Sequence, residues 1–360
     1  MGEKVLMKGN EAVAEAAIRA GCRLYFAYPI TPQSELIEYM AKMMPKVDGT
    51  FVQAESELAA INMVYGAAGC GKRVMTSSSS PGISLKQEGI SYIAGANLPA
   101  VIVNVQRGGP GLGDIQPAQG DYFQATKGGG HGDYRVITLA PSSVQEFADM
   151  ASLAFDLADK YRNPVYILSD GLLGQMMEPV EFKDAKTEKD FEELDKQHFA
   201  WCMHSNQDEP NHHHHEINSL EIDPKVLEKH VEKLGEKYNE IEKNEKRWEE
   251  YNINEENQMV CVSFGTASRV VKSAIDTLQE AGISVGLIRP ITVWPYPSEA
   301  IQKALNDKVK KVMVFELNLG QMVEDVKIAV NGKLPVEFFG KVGGIVFTPE
   351  EVQEKIKENL

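Results

Sequence analysis

Residues 51–72 read FVQAESELAAINMVYGAAGCGK. A short strand-like run, FVQAE, gives way at about Ser56 to an alanine-rich segment with the composition of a helix. At the join stand two glutamates, Glu55 and Glu57, with no histidine, cysteine or third acid beside them. Either they cap a helix, where the macrodipole favours an acid by roughly 0.3–1 kcal/mol, or one of them handles a proton. The strand-then-helix reading repeats on both sides. GNEAVAEAAIRAGC predicts a helix ending at Gly21, RLYFAYPITP a strand and turn, and QSELIEYMAKMM a helix opened by Thr31 or Pro32. RVMTSSSSPG and PAVIVNVQRGGPG predict strands that end in Gly-rich loops. SVQEFADMASLAFDLADKY predicts a helix and NPVYILSDG a strand. Short apolar strands separated by helices predict a parallel α/β sheet, with ligands at the carboxyl ends of its strands. Those ends carry YPITP, QAESE, TSSSSPG and QRGGPGLG.

A chain of 360 residues is too long for one ordinary core. We divide it into residues 1–185, an acidic linker with a helical arm at 186–257, and a smaller α/β domain at 258–360. The net charge of −15 argues against nucleic acid as a partner. Residues 181–257 hold 22 Asp and Glu against 11 Lys and Arg, so this one segment supplies most of that charge. Within it Leu227, Val231, Leu234, Tyr238, Ile241 and Trp248 form one narrow apolar stripe. The stripe fits an arm packing on a domain or a partner, and equally a surface helix on its own chain. His212–His215 lie in a polar loop and read as solvent-facing rather than as a metal site. The C-terminal pieces MVCVSFGTASRVVKSAIDTLQEAG, ISVGLIRPITVWPYP and KKVMVFELNLGQMVEDV predict strand–helix, strand–bend and strand–helix.

Familiar motifs are missing. GAAGCG at 66–71 and GGPGLGD at 108–114 lack the spacing of a dinucleotide fingerprint, and there is no Walker A. TSSSSPG is not a nucleophile elbow, so its hydroxyls suit contacts to a polar ligand. Four cysteines without a C-x-x-C pair fit a reducing cytoplasm and are too dispersed to hold an iron–sulfur cluster alone. No leader or membrane-spanning run is expected.

GNEAVAEAAIRAGC, YPITPQSE, QAESELAAINMVYGAA, SSSSPGISLKQEGISY, VQRGGPGLG, QPAQGDYFQATKGGGHGDY and APSSVQEF together resemble the α-type subunits of 2-oxoacid:ferredoxin oxidoreductases. FGTASR, RPITVWPYP and FELNLGQM resemble the transketolase C-terminal-type domain of the same subunits. SSSSPGISL, RGGPGLGDIQPAQGDYFQATKGGGHGDY and SDGLLGQMME are most similar to the branched-chain branch, which acts on 3-methyl-2-oxobutanoate. The 2-oxoglutarate branch and a non-oxidative two-chain thiamine enzyme are the alternatives, with a non-catalytic assembly subunit behind them.

The resemblance implies an α/β thiamine-diphosphate-binding fold of the pyrimidine type, plus the smaller C-terminal α/β domain. It implies a carboxylate at the cofactor's pyrimidine nitrogen. That acid starts a helix with a glycine nine residues on, which Glu57 has in Gly66 and Glu55 lacks, having Val64. It implies Thr31 and Arg107 on the substrate or coenzyme A side, although Thr31 also suits helix capping and Arg107 a salt bridge or phosphate. Tyr28, Pro29, Ser79, Pro81 and Gly82 are implied on the cofactor side, and Lys127 and His131 are loop candidates only. SDGLLGQ at 169–175 does not continue as the family's Mg²⁺–diphosphate motif does. The resemblance therefore puts the diphosphate and Mg²⁺ on a β-type partner and the [4Fe-4S] clusters on partner subunits. Those partners include γ-type and ferredoxin-like δ-type chains, with ferredoxin, coenzyme A and a 2-oxoacid as the reacting species.

Overall fold

The computed structural model describes residues 4–203 and 215–360. The histidine run lies outside them apart from His215, whose Nδ1 donates to the Cys202 carbonyl at 3.1 Å. The chain opens with β1 (Val5–Lys8), α1 (Gly9–Arg19), β2 (Leu24–Ala27), α2 (Ser34–Met43), β3 (Thr50–Gln53), α3 (Glu57–Gly69), β4 (Val74–Ser78), α4 (Ser80–Gly95) and β5 (Ala100–Gln106). Strands β6 (Ile137–Leu139), β7 (Pro164–Asp170) and β8 (Met177–Val180) complete the first half. The second half contributes β9 (Trp248–Tyr251), β10 (Met259–Val262), β11 (Val285–Pro290), β12 (Thr292–Trp294), β13 (Lys311–Glu316) and β14 (Val336–Gly340).

The main sheet has the order β12-β6-β7-β5-β4-β2-β3. It is parallel apart from the antiparallel edge strand β12. Every residue of β5 and β7 is buried, as expected of central strands covered on both faces. The second sheet, β14-β13-β10-β11-β9, is parallel apart from β9. β1 and β8 form a separate antiparallel pair. The strand order of the main sheet reverses at β2: the chain leaves β2 outward to β3, returns across it to β4, and then proceeds to β5. The crevice between the carboxyl ends of β2 and β4 is a topological switch point, where such sheets take ligands.

Several local expectations change. α2 begins at Ser34 with Gln33 as its N-cap, so neither Thr31 nor Pro32 opens it. TSSSSPG is not a loop after β4, because α4 starts at Ser80 with Pro81 inside its first turn. There the missing proline N–H costs no hydrogen bond. The arm spans Pro224–Asn244 and packs on its own chain, burying Leu234, Tyr238 and Ile241. Trp248 does not extend its stripe but starts β9, which pairs with β11. The bend after β11 contains β12, which joins the sheet of the other half through Thr292 and Trp294. Among the described residues no helix is long and apolar enough to cross a membrane.

Arg289 ties the second sheet to a helix of the first half. It is 2% exposed, and its Nη1 and Nη2 meet the Glu146 carboxylate at 3.0 and 2.6 Å, while Nε meets Glu249 at 2.6 Å. The two-pronged contact suits the planar guanidinium. Arg289→Ala leaves Glu146 and Glu249 facing each other without the enclosed cation. It should lower unfolding free energy by about 3 kcal/mol in denaturant titrations. A loss under about 1 kcal/mol would mean that water replaces the clamp.

Candidate active site

The loops at the switch point bring together residues from four strand ends. After β2 come Tyr28, Pro29 and Thr31, all exposed. After β3 the chain turns into α3, where Ser56 is the N-cap and its hydroxyl accepts from the Ala59 N–H at 3.2 Å. This turn separates the two glutamates. Glu55 faces solvent, while Glu57, the first residue of α3, is 6% exposed.

α4 presses its first turn against Glu57. A Cβ at Gly82 would fall onto Ser78 Oγ and 2.5 Å from Glu57 Oε1, so only glycine permits this approach. The positive end of the α4 dipole therefore lies beside the Glu57 carboxylate. Among the described residues no donor hydrogen-bonds that carboxylate. The hydroxyls of Ser78 and Ser79 next to it are also buried without partners. Pro81 is half-buried beside them.

The same turn holds Arg107 in place. Ser80 Oγ accepts from the Arg107 backbone N–H at 3.1 Å and donates to the Asp121 carboxylate at 2.6 Å, which Asn104 Nδ2 also reaches at 2.9 Å. Burial pushes the Asp121 carboxyl above its usual range, and the bonds from Ser80 and Asn104 pull it back. The Arg107 guanidinium donates to the carbonyls of Thr31 at 3.0 Å and Leu112 at 2.9 Å, and so joins the loops after β2 and β5. That uses two of its five N–H groups, and its buried Nε has no partner. Thr31 is held through its carbonyl, and its hydroxyl is unengaged among the described residues. Lys127 is drawn away to Asp325, near the boundary with the second sheet. His131 is exposed and bonds nothing described.

Sequence reasoning missed the Asp121–Ser80–Asn104 brace and the buried Lys86 one turn beyond Gly82. Lys86 carried a readable signal, since it falls between Ile83 and Ile90 at the spacing of the buried face of α4. Asp121 sits in a glycine-rich loop and had none. Cavities of 630 Å³, lined by Glu146, Glu249 and Arg289, and of 380 Å³, lined by Arg23, Phe191 and His198, lie away from this cluster. The cluster itself is an open wall.

Two family models cover the chain. Pyruvate flavodoxin/ferredoxin oxidoreductase, thiamine diphosphate-binding, matches residues 15–250. Pyruvate:ferredoxin oxidoreductase core domain II matches residues 257–352. The chain belongs to the pyruvate flavodoxin/ferredoxin oxidoreductase family. It is a subunit of a 2-oxoacid:ferredoxin oxidoreductase, as its α/β architecture and its relatives agree. It is 49% identical to ketoisovalerate oxidoreductase subunit VorB of Methanothermobacter thermautotrophicus, over 98% of this chain and 97% of that one. It is 39% identical to 2-oxoglutarate synthase subunit KorA of Methanocaldococcus jannaschii, over 97% and 98%. Among solved structures it is similar to the 2-oxoglutarate:ferredoxin oxidoreductase from Magnetococcus marinus with 2-oxoglutarate, coenzyme A and succinyl-CoA bound. The TM-score is 0.83 at 30% identity, covering 99% of this chain and 65% of that one.

Thiamine diphosphate fits the oxidoreductase wall described here. Its aminopyrimidine offers donors and acceptors to what stands unpaired: the Glu57 carboxylate and the Ser78 and Ser79 hydroxyls. Gly82→Ala should cost about 1–3 kcal/mol of stability through overpacking and push Glu57 from its place. Denaturation and activity of the purified complex check this. Wild-type values for both would show that the turn yields freely.

Proposed function

We propose that this chain is the α-type subunit of a 3-methyl-2-oxobutanoate:ferredoxin oxidoreductase, with Glu57 as its cofactor-activating acid. The observation that carries the substrate class is the 49% identity to a ketoisovalerate oxidoreductase subunit, against 39% to a 2-oxoglutarate synthase subunit. In the reaction a branched 2-oxoacid and coenzyme A give acyl-CoA, CO₂ and a proton, and an electron pair leaves to ferredoxin. Thiamine diphosphate, when bound, supplies the nucleophilic carbon and holds the electrons that decarboxylation releases. This chain's residues prepare the place for it. Glu57 holds or releases a proton at its carboxylate, facing a ring nitrogen, in a position shielded from water. The free donors of Arg107, with the Thr31 hydroxyl, orient the substrate carboxylate. Tyr28, Pro29, Ser79, Pro81 and Gly82 form the wall against the pyrimidine.

Apolar exposure around this wall supports a site completed by another chain. Leu58 is 47% and Leu85 55% exposed, beside Glu57 and Gly82, and Leu112 is exposed on the loop that Arg107 holds. α3 is apolar almost all round, a composition suited to a helix covered on every side. A β-type partner lying there would bring the diphosphate and Mg²⁺ half, and γ- and δ-type partners the [4Fe-4S] clusters. We read the chain as cytoplasmic, and its three segments, 1–185, 186–257 and 258–360, as pyrimidine domain, acidic arm and transketolase-type domain.

Glu57→Gln should lower kcat by roughly a hundredfold or more while gel filtration shows the co-expressed complex intact. Near-normal turnover would remove Glu57 from this role. Branched-chain 2-oxoacids should exceed 2-oxoglutarate and pyruvate in kcat/KM with that complex, and a preference for 2-oxoglutarate would move the chain to the other branch. By calorimetry the chain alone should bind thiamine diphosphate and Mg²⁺ far more weakly than the complex does. Tight binding to the isolated chain would contradict a divided site.

A further inference from the structure

Lys86 is fully buried on α4, one helical turn after Gly82. Its Nζ donates to Thr76 Oγ1 at 2.7 Å. That hydroxyl spends its own hydrogen on the Phe26 carbonyl at 2.6 Å, so it faces Lys86 as an acceptor. Among the described residues the ammonium thus has one neutral partner and no ion pair, a costly arrangement in a protein interior. Other titratable groups around α4 are engaged elsewhere. The Tyr25 hydroxyl on β2 bonds Ser77, the Tyr166 hydroxyl on β7 bonds Gln87, and Asp121 accepts from Ser80. Tyr134 contacts Gln87 and Gly130, Tyr92 donates to Glu88 on the exposed side, and Tyr65 on α3 packs edge-on against Tyr92. The charge that acts on Lys86 is Glu57. Burial pushes the ammonium down to about 7, and the Glu57 carboxylate pushes it back up.

The geometry points to Lys86 as a positioning residue for Glu57, an enclosed cation whose charge sets the pH range over which that carboxylate holds its proton. This rests on the reading of Glu57 as the activating acid. Lys86 is fully buried, so it acts through Glu57 rather than on a ligand. It lies behind Gly82, and Gly82 is the residue that Glu57 abuts. The sign is fixed by Coulomb attraction: a nearby cation favours the ionised carboxylate, so losing it makes Glu57 keep its proton to higher pH.

The test uses the co-expressed complex with Lys86→Gln, Lys86→Met, Thr76→Val, Glu57→Gln and the Glu57→Gln/Lys86→Met pair. Lys86→Gln keeps a donor for Thr76 and loses the charge, while Thr76→Val loses the acceptor and keeps the charge. Lys86→Gln and Lys86→Met should each move the limb of the kcat/KM–pH profile set by Glu57 upward by about one unit, a tenfold change in its proton affinity. Thr76→Val should leave that limb in place. Thermal melting supplies a readout independent of turnover. Glu57→Gln strands the buried cation and Lys86→Met strands the carboxylate, so each should lower Tm, and the double variant should lie above the sum of the two losses. If Lys86→Met alone does not assemble, the double variant should restore assembly. An unmoved limb in Lys86→Gln, or additive Tm losses, overturns the proposal. An active Glu57→Gln enzyme that still shows coupled melting overturns only the catalytic reading of Glu57.

Discussion

Enclosing a carboxylate without giving it a hydrogen bond is the constraint from which the rest of this site follows. Moving an ionised carboxylate out of water costs several kcal/mol even after the surroundings relax. At Glu57 three features offset that cost. The first turn of α4 brings its positive dipole end alongside. Gly82 allows the approach, since any side chain there would collide with both Ser78 and Glu57. Lys86, one turn on, adds a buried basic group in the same enclosure, and the Glu57 carboxylate acts to keep it protonated.

The position of that carboxylate is a consequence of topology. Because the strand order reverses at β2, the loops after β2 and β4 diverge and leave a crevice between them. Arg107 spans from the β5 end to the β2 loop, and Ser80 ties the start of α4 to the Arg107 backbone and to Asp121. The crevice therefore has one well-braced wall. Its outer face, with Leu58, Leu85 and Leu112, is apolar where a solvent-facing helix and loop would be polar. The bracing fixes where the acid and the arginine point before any second wall arrives. This is the preorganisation that binding a cofactor requires.

Much of this was legible in the sequence because the governing signals are local. Alternation of apolar strands and helices fixes a parallel sheet, and QAESELAA marks a strand turning into a capped helix, which Ser56 indeed caps. What stayed hidden depends on partners distant in sequence. β12 has three residues, and only its neighbour β6, some 150 positions earlier, makes it an edge strand. Trp248 continued the arm's helical spacing, yet pairing with β11 claims it for a sheet. SSSSPG has the composition of a turn, but proline is at home in the first turn of a helix, and the serines end a strand and cap that helix. Two donors of Arg107 go to the carbonyls of Thr31 and Leu112, contacts that no sequence pattern could pair with it. The nearness of Glu57 to a buried lysine is of the same kind. A lysine on an apolar stripe is a visible anomaly, whereas the acid it answers lies on another helix.

The acidic arm gains a physical role once α4 is seen as the axis of the site. The helix presents its N-terminus to Glu57, and its C-terminus, at Gly95, lies under the arm. There His230 donates to the Gly95 carbonyl at 2.7 Å, and Lys237 donates to Asn97 Oδ1 at 2.8 Å and to the Arg162 carbonyl at 3.2 Å. Arg162 in turn donates to the Asn97 carbonyl at 3.0 Å. These donors and cations meet the negative end of the helix, as Glu57 meets the positive end. From this acidic segment His230 and Lys237 turn inward, onto groups at and after the end of α4, while Lys225, Lys229, Lys233 and Lys243 stay exposed. Tyr238 packs edge-on against Trp294 of β12 at 6.0 Å, so the same arm also touches the strand that joins the two halves. Holding the far end of α4 restrains its first turn, because a helix moves largely as a unit along its axis. The contacts made by His230 and Lys237 are in this sense mechanical support for the place where Gly82 meets Glu57.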